Sequence, residues 1–314
     1  MNWETTLKKI NHKTALRAAS LWVNRPLDLK LINNQINCVY RFEDKNQGYY
    51  LRMTHETIRS RRELEAAIDF QQHLFQHHAP ICQPIPSATD AYIEIIKQDQ
   101  LKFFAHVCLE VPGEIMSFEN TNKHAYFTWG KALAQLHNAA QSYQPTTHHF
   151  LSWKDLWQET REYVQQEPQE IQDCFHRIET FFNQNKSTAL NYGLTHGDHR
   201  PGNVLYDGQQ IHIIDFDDPV YHWFLADIAK PFLDLCNQPR KSWMPLFNCY
   251  IEGYRSTRPI TEYDLKNIGW FTQMKSLDIY LWCKNNWHEP TAPGGKPREQ
   301  WLSELRQMAM TPLF

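Results

Sequence analysis

The chain has 314 residues and a mass of 37.4 kDa, of which 42% are hydrophobic and 21% charged, a length that accommodates about two ordinary domains and excludes a disordered tail protein or a collagen-like fibre. A net charge of −3 and a pI near 6.6 supply no chain-wide attraction to nucleic acid or to an anionic membrane, so neither partner is expected. With only 11 glycines the chain has little room for a glycine-rich phosphate loop, and any phosphate chemistry needs another device.

Residues 4–23 carry Leu7, Ile10, Leu16 and Ala19 at helical spacing, which predicts one or two helices. Strands are expected at 29–33, 38–43 and 48–54, as an antiparallel meander with a turn at 44–48. In 57–77 the residues Leu64, Ala67, Ile68, Leu74 and Phe75 recur every three or four positions on a charged background, the pattern of an amphipathic helix. Pro80, Pro84 and Pro86 then enforce an extended connector, followed by strands at 92–96 and 101–109. Val111-Pro112-Gly113 closes this unit. Beyond it helices are expected at 121–140, 153–166, 169–184, 227–235, 243–255, 263–285 and 299–308, broken by a short β insert at 194–214 and an exposed loop at 289–296. An α+β lobe, 1–109, thus precedes a larger helical lobe, 110–314, and their joint is the first place to look for a ligand.

The chemistry concentrates in Thr195-His196-Gly197-Asp198-His199-Arg200-Pro201-Gly202-Asn203-Val204-Leu205-Tyr206 and Ile211-His212-Ile213-Ile214-Asp215-Phe216-Asp217-Asp218. Asp207-Gly208 between the two apolar runs is a hairpin signal, and the hairpin returns Asp215 beside Asn203. One carboxylate and one carboxamide at the end of a ribbon suit Mg²⁺, which keeps waters and takes phosphate oxygens for the rest of its shell. Asp198, on a loop freed by Gly197 and Gly202, can approach that metal without ligating it, the position of a base for a substrate hydroxyl. Arg200, two residues on, can neutralise a transferred phosphoryl group.

These residues resemble the aminoglycoside phosphotransferase and choline kinase family of the protein-kinase-like fold, whose signature is HGDxxxxN followed by a metal-binding aspartate; the resemblance spans nearly the whole chain. The Asp215-Phe216-Asp217-Asp218 form is most similar to stress-response-kinase-like and homoserine-kinase-like members. The resemblance implies an α+β, two-lobe fold: a small lobe with a five-stranded antiparallel sheet plus one helix, and a large, mainly helical lobe. It implies Asp198 as catalytic base, Asn203 and Asp215 as Mg²⁺ ligands, Leu205 under the adenine of ATP, and Asp227 as a brace for the catalytic loop, where an ordinary first-turn helix carboxylate is the plainer alternative.

Three features of the small lobe depart from the family pattern. Arg52, facing opposite to Leu51 and Met53, takes the place of the lysine that holds the nucleotide phosphates in such kinases. Its helix partner is Glu63 or Glu65, since the aligned position falls near Ala67. The loop at 31–37, with Asn34 at its centre, lacks GxGxxG and is either a set of backbone donors for phosphate or a plain hairpin loop. At the hinge, 107–111, backbone groups around Cys108 and Glu110 can hydrogen-bond adenine.

Elsewhere the blander readings prevail. His73, His77 and His78 are expected as solvated helix-face residues, and no third metal ligand accompanies His148-His149. His137 is expected buried and hydrogen-bonded, and Trp153, Trp157, Trp243, Trp270, Trp282, Trp287 and Trp301 as core. Seven dispersed cysteines without a CxxC pair read as reduced thiols. With no apolar signal core at the N-terminus and no apolar run of about 18 residues, a cytoplasmic protein is expected. The sequence reading is an ATP- and Mg²⁺-dependent phosphotransferase acting on a hydroxyl of a small molecule such as an amino alcohol, a sugar or an aminoglycoside. A protein Ser/Thr acceptor and a non-catalytic nucleotide binder are the alternatives, and Asp217, Asp218 and Glu289 favour a cationic acceptor.

Overall fold

The computed structural model describes residues 10–34, 36–118, 122–145, 150–235, 238–292, 295–311 and 313–314. The first part of the expected N-terminal helix, Gln35 of the 31–37 loop, Thr121, His148-His149, Cys236 and Pro293-Gly294 lie outside the described residues.

Helix α1 (His12–Ala19) begins where Asn11 accepts the Thr14 N–H at 2.9 Å. Its Ala15, Ala18 and Ala19 allow close packing on the apolar face of a sheet built from β1 (Leu27–Asn34), β2 (Cys38–Asp44), β3 (Gln47–His55), β4 (Pro84–Ile85), β5 (Glu94–Gln98) and β6 (Leu101–Leu109). The order is β1-β2-β3-β6-β4, with β5 also on β6. The five expected strands are present, and the proline connector adds a sixth, two residues long, along the edge of β6. Pro84 has no N–H to continue a ladder, so it stays that short. Leu51 and Met53 face α1, and Arg52, Thr54, His106 and Cys108 face the opposite side.

That opposite side carries α2 (Arg61–Gln76), which starts four residues later than expected because Ser60 and Glu63 form a reciprocal capping box. Its distal part, Phe70 and Leu74, joins the core of the large lobe, so the two lobes share apolar packing.

The large lobe comprises β7 (Glu114–Ile115), α3 (Lys123–Gln141), α4 (Trp153–Val164), α5 (Gln169–Gln184), β8 (Tyr192–Thr195), β9 (Val204–Tyr206), β10 (Ile211–Ile213), β11 (Val220–Trp223), α6 (Leu225–Ala229), a 3₁₀ segment (Lys230–Leu235), α7 (Arg240–Arg255), α8 (Glu262–Asn286) and α9 (Arg298–Met310). Helices α3 and α7 cross through Gly130 and Gly253: a Cβ on Gly253 would stand 1.8 Å from the Phe127 carbonyl oxygen, and one on Gly130 1.9 Å from that of Tyr250. Trp153, Trp157, Trp243 and Trp287 are buried and Trp270, Trp282 and Trp301 pack on the same core. Six cysteines are free, and no helix is long and apolar enough to cross a membrane among the described residues.

Two antiparallel ribbons place the site. In one, β8 pairs with β11, Thr195 opposite Val220; in the other, β9 pairs with β10, Val204 opposite Ile213. The chain runs β8, β9, β10, β11, so the loops 196–203 and 214–219 both cross from one ribbon to the other and meet.

Candidate active site

The loop 196–203 is held from below. Asp227, on α6 and fully buried, accepts the His196 N–H at 2.7 Å on Oδ2 and the Gly197 N–H at 3.0 Å on Oδ1. His137 Nε2 lies 3.2 Å from the same Oδ2, and its Nδ1 meets the Tyr254 hydroxyl at 2.8 Å. Burial opposes ionisation of Asp227, but the His137 hydrogen bond and the surrounding imidazoles hold it well below the ordinary carboxylate value. Gly197 has φ +81°, and a Cβ there would stand 1.9 Å from the Asp218 carbonyl oxygen, so only glycine lets the two loops touch. Trp129 Nε1 donates to His199 Nε2 at 2.7 Å and pins the loop on the far side of Asp198.

Asp198 is thereby presented with both oxygens engaged. Lys230 Nζ is 3.0 Å from Oδ1; Arg200 Nε donates to Oδ2 at 3.0 Å and Asn203 Nδ2 at 3.1 Å. Burial raises its pKa, yet Lys230 and Arg200 more than offset this and hold Asp198 below the ordinary range. Asn203 Nδ2 also donates to the Asp198 carbonyl at 2.8 Å, which turns its Oδ1 the other way. The Ile214 N–H bonds the Asn203 carbonyl at 3.0 Å, so Asp215 emerges beside Asn203 as the hairpin requires. Asp215 adopts φ 70°, uncommon for a non-glycine residue and frequent at functional sites.

The small lobe closes on this acidic loop through arginines. Arg52 meets Asp215 with a fork, Nη1 to Oδ1 at 2.8 Å and Nη2 to Oδ2 at 3.0 Å, while its Nε lies 2.9 Å from Asp217 Oδ2, off the hydrogen-bond direction. Asp217 accepts the Asn37 amide at 2.9 Å, and Asn37 in turn accepts the Thr54 hydroxyl at 2.7 Å. Asp218 pairs with Arg59. Burial pushes Asp217 up despite Arg52, whereas Asp215, half-buried, is brought below its ordinary value by Arg52. His106, opposite Arg52 on β6, is brought down to about 3 by burial and then by the Arg52 charge.

A family model described as the phosphotransferase enzyme family matches residues 28–260, a span that contains Arg52, the whole 196–218 site and Asp227. The chain belongs to this family. It is an enzyme, a phosphotransferase with a hydroxyl acceptor, and the family works with ATP and a divalent metal. It is 26% identical over 232 residues to the amicoumacin kinase of Bacillus subtilis (strain 168), covering 71% of this chain and 68% of that one. Homoserine kinase of Rhizobium rhizogenes (strain K84 / ATCC BAA-868) is 22% identical over 57% of each chain. The fold is that of amicoumacin kinase hAmiN, solved in complex with AMP-PNP, Ca²⁺ and Ami, with a TM-score of 0.85, 21% identity and coverage of 99% of this chain and 97% of that one. A microcompartment-associated aminopropanol kinase superposes with a TM-score of 0.75 at 20% identity, covering 95% of each chain.

Against this phosphotransferase geometry the sequence expectations divide. Asp198, Arg200, Asn203, Asp215 and Arg52 converge. Glu63 does not: its carboxylate accepts the Ser60 N–H and hydroxyl, both at 2.7 Å, and Glu65 binds Arg61, so Arg52 takes its counter-ions from the 215–217 loop. The reason is local, because a glutamate three residues into a helix finds its cap before it can reach a distant strand. Glu110 grips Arg41 at 2.6 and 2.7 Å, and the Leu109 and Glu110 N–H groups donate to the Gln83 and Gly48 carbonyls. Cys108 lies on β6 between Tyr50 and Pro84, with Sγ 3.6 Å from Gln71 Nε2. Leu205 is the middle of the β10-β9-β7 sheet, half-buried, and Asn34 pairs with Cys38 at the exposed end of the β1–β2 hairpin. Asp217 and Asp218 are paired with the small-lobe arginines Arg52 and Arg59.

Four residues escaped the sequence reading. Asn37 and Arg59 are loop residues whose contacts lie about 160 to 180 positions away, and Trp129 looks like any core tryptophan. Lys230 left a signal: it follows Asp227 by three residues, one helical turn above the brace.

The residues fit a divalent cation. Arg52 places a positive charge on Asp215 where a cation would sit, and one carboxylate with the oxygen of one carboxamide is the hard, sparse donor set of Mg²⁺. Asp215 and Asn203 are the residues that would hold a divalent ion, and the ion would supply charge neutralisation to phosphate oxygens.

Proposed function

We propose that the chain is an ATP- and Mg²⁺-dependent kinase for a small hydroxylated molecule. The observation that carries this reading is the convergence of Asp198, Arg200 and Lys230 with Asn203 and Asp215 at the meeting of two loops. Residues 1–109 hold the nucleotide, Arg52 exchanging Asp215 for phosphate oxygens, and 110–314 hold the acceptor. Asp198 receives the acceptor hydroxyl as a hydrogen-bond acceptor. Held at low basicity, it orients the hydroxyl first and takes its proton late, as bond formation raises the acidity of the attacking oxygen. Arg200, half-exposed beside Oδ2, meets the charge of the phosphoryl group in transit. A small acceptor is supported by the amicoumacin and aminopropanol kinases it resembles, and the free thiols support a cytoplasmic setting.

The test is ATP consumption over a panel of hydroxylated metabolites, antibiotics and a Ser/Thr protein mixture, for wild type and Asp198→Asn. Acceptor-dependent turnover on a small molecule that falls at least about 10³-fold in Asp198→Asn is expected. Turnover insensitive to that substitution refutes the assigned base, and Mg-ATP binding without turnover refutes the kinase reading.

A further inference from the structure

The buried face of α2 is apolar except at Gln71, which is 3% exposed. Its amide nitrogen donates to the Cys82 carbonyl at 2.9 Å and lies 3.1 Å from Cys82 Sγ and 3.6 Å from Cys108 Sγ. The two thiols also hydrogen-bond to each other. One buried amide thus gathers two sulphurs from separate strands of the fold, and no step of phosphoryl transfer uses them.

The sulphurs stand on different supports. Cys82 is in the proline connector, where the Ile213 N–H bonds the Pro80 carbonyl at 2.8 Å and the Cys82 N–H bonds the Ile213 carbonyl at 3.1 Å, so this stretch lies along β10. Cys108 is in β6, paired with Tyr50 on one side and Pro84 on the other, on the sheet face that carries Arg52. The two also differ in chemistry. Cys82 is buried, whereas Cys108 is partly exposed. The Cys82 thiol, then the Gln71 amide and the Arg52 charge, outweigh burial and bring the Cys108 thiol below its ordinary value, while Cys82 is pushed up by the same pairing and by its burial. A partly exposed sulphur with thiolate character beside a buried thiol is the arrangement of an attacking and a resolving cysteine.

We propose that Cys82 and Cys108 are an oxidation site, at which a peroxide forms a reversible disulfide that clasps the β10-bound connector to β6. The Cys108 thiolate attacks one peroxide oxygen and breaks the O–O bond; Cys108 becomes a sulfenic acid, and the second oxygen leaves as water once protonated. The Cys82 sulphur then attacks that of Cys108, and the thiol proton of Cys82 departs with the hydroxyl as a second water. Both electrons lost by the thiol pair are gained by the one peroxide. The new bond draws the sulphurs from hydrogen-bond contact to about 2 Å. It thereby pulls β6 toward the connector two residues from His106, which stands opposite Arg52. Resting on the kinase reading above, this displacement beside Arg52 lowers turnover.

The experiment treats the full chain with hydrogen peroxide, alkylates the remaining thiols and maps tryptic peptides by mass spectrometry without reduction. Peptides 63–97 and 103–123 carry Cys82 and Cys108 separately, so the disulfide is read as a cross-linked pair that dithiothreitol separates. The cross-link should form at least about 10-fold faster than any other cysteine of the chain is oxidised. Turnover should fall by about 10-fold on oxidation, as a displacement of about 1 Å near a reacting group allows, and recover with dithiothreitol. Cys82→Ser should keep its basal turnover but lose that recovery, because Cys108 without a resolving thiol proceeds to sulfinic acid in excess peroxide. Cys108 oxidised without the cross-link, or both cysteines alkylated after peroxide treatment, overturns the site. A cross-link that leaves turnover unchanged overturns its effect on the enzyme. If no acceptor is phosphorylated, the kinase reading fails separately, and the peptide map still decides the disulfide.

Discussion

Asp227 offers the sharpest test of how the catalytic loop is held. Its two oxygens accept three N–H donors, Gly197 on Oδ1 and His196 with His137 on Oδ2. Asp227→Asn is isosteric but has one acceptor oxygen. With that oxygen kept on the His196 side, the new NH₂ opposes the Gly197 N–H, so a hydrogen bond to a charged group worth about 1.5–3 kcal/mol is lost and a buried donor is left unpaired at about 1–3 kcal/mol. A destabilisation of about 3–5 kcal/mol follows, and the displaced Gly197–Asp198 segment lowers kcat by about 10²-fold, as a shift of about 1 Å does at a reacting group. The carboxylate is held below its ordinary value of 3.8 in the folded protein. Its contribution is therefore fully present above that value and lost as the pH falls below it. Urea unfolding at pH 7 and at steps below pH 4 should show a large gap between wild type and variant that narrows with acid. A gap under about 1 kcal/mol at pH 7, or one that stays constant on acidification, would refute the bracing role.

Other outcomes follow from named contacts. Arg52→Leu leaves half-buried Asp215 and buried Asp217 without a shared counter-ion and should cost about 3–5 kcal/mol by thermal or urea unfolding, a loss that a divalent cation partly restores. Its KM for ATP should rise, measured by coupled assay. Glu63→Ala removes one half of a capping box and should cost about 1 kcal/mol without altering the KM for ATP; a large rise in that KM would return Glu63 to the nucleotide site. Gly253→Ala sets a Cβ against the Phe127 carbonyl and forces α3 and α7 apart, lowering stability by about 2 kcal/mol or more, read from the unfolding midpoint.

Much of the site was legible because its logic is local. The spacing from Asp198 to Asn203, the Asp207-Gly208 turn and the return to Asp215 are contained in about twenty consecutive residues, and a hairpin has few ways to fold. The alternation around Arg52 was equally readable, because side chains in a strand switch faces at every residue. The partner of Arg52 was not, because the choice between Glu63 and Asp215 is a competition between a cap three residues away and an ion pair 163 positions away. The pairing of Asp217 and Asp218 with Arg52 and Arg59 was not legible for the same cause, since these partners lie about 160 positions away.

The sequence by itself pointed to the chemistry: a phosphotransferase without a glycine-rich loop, for which we propose Asp198 as base and Asn203 with Asp215 as metal ligands, residue types that stand at short spacing. Only the tertiary structure decided where charge is spent. It gave Arg52 and Arg59 to the acidic loop, Glu110 to Arg41, and Lys230 to Asp198. Such pairings depend on distances between elements far apart in the chain, which residue order does not encode directly and close packing of the two lobes settles.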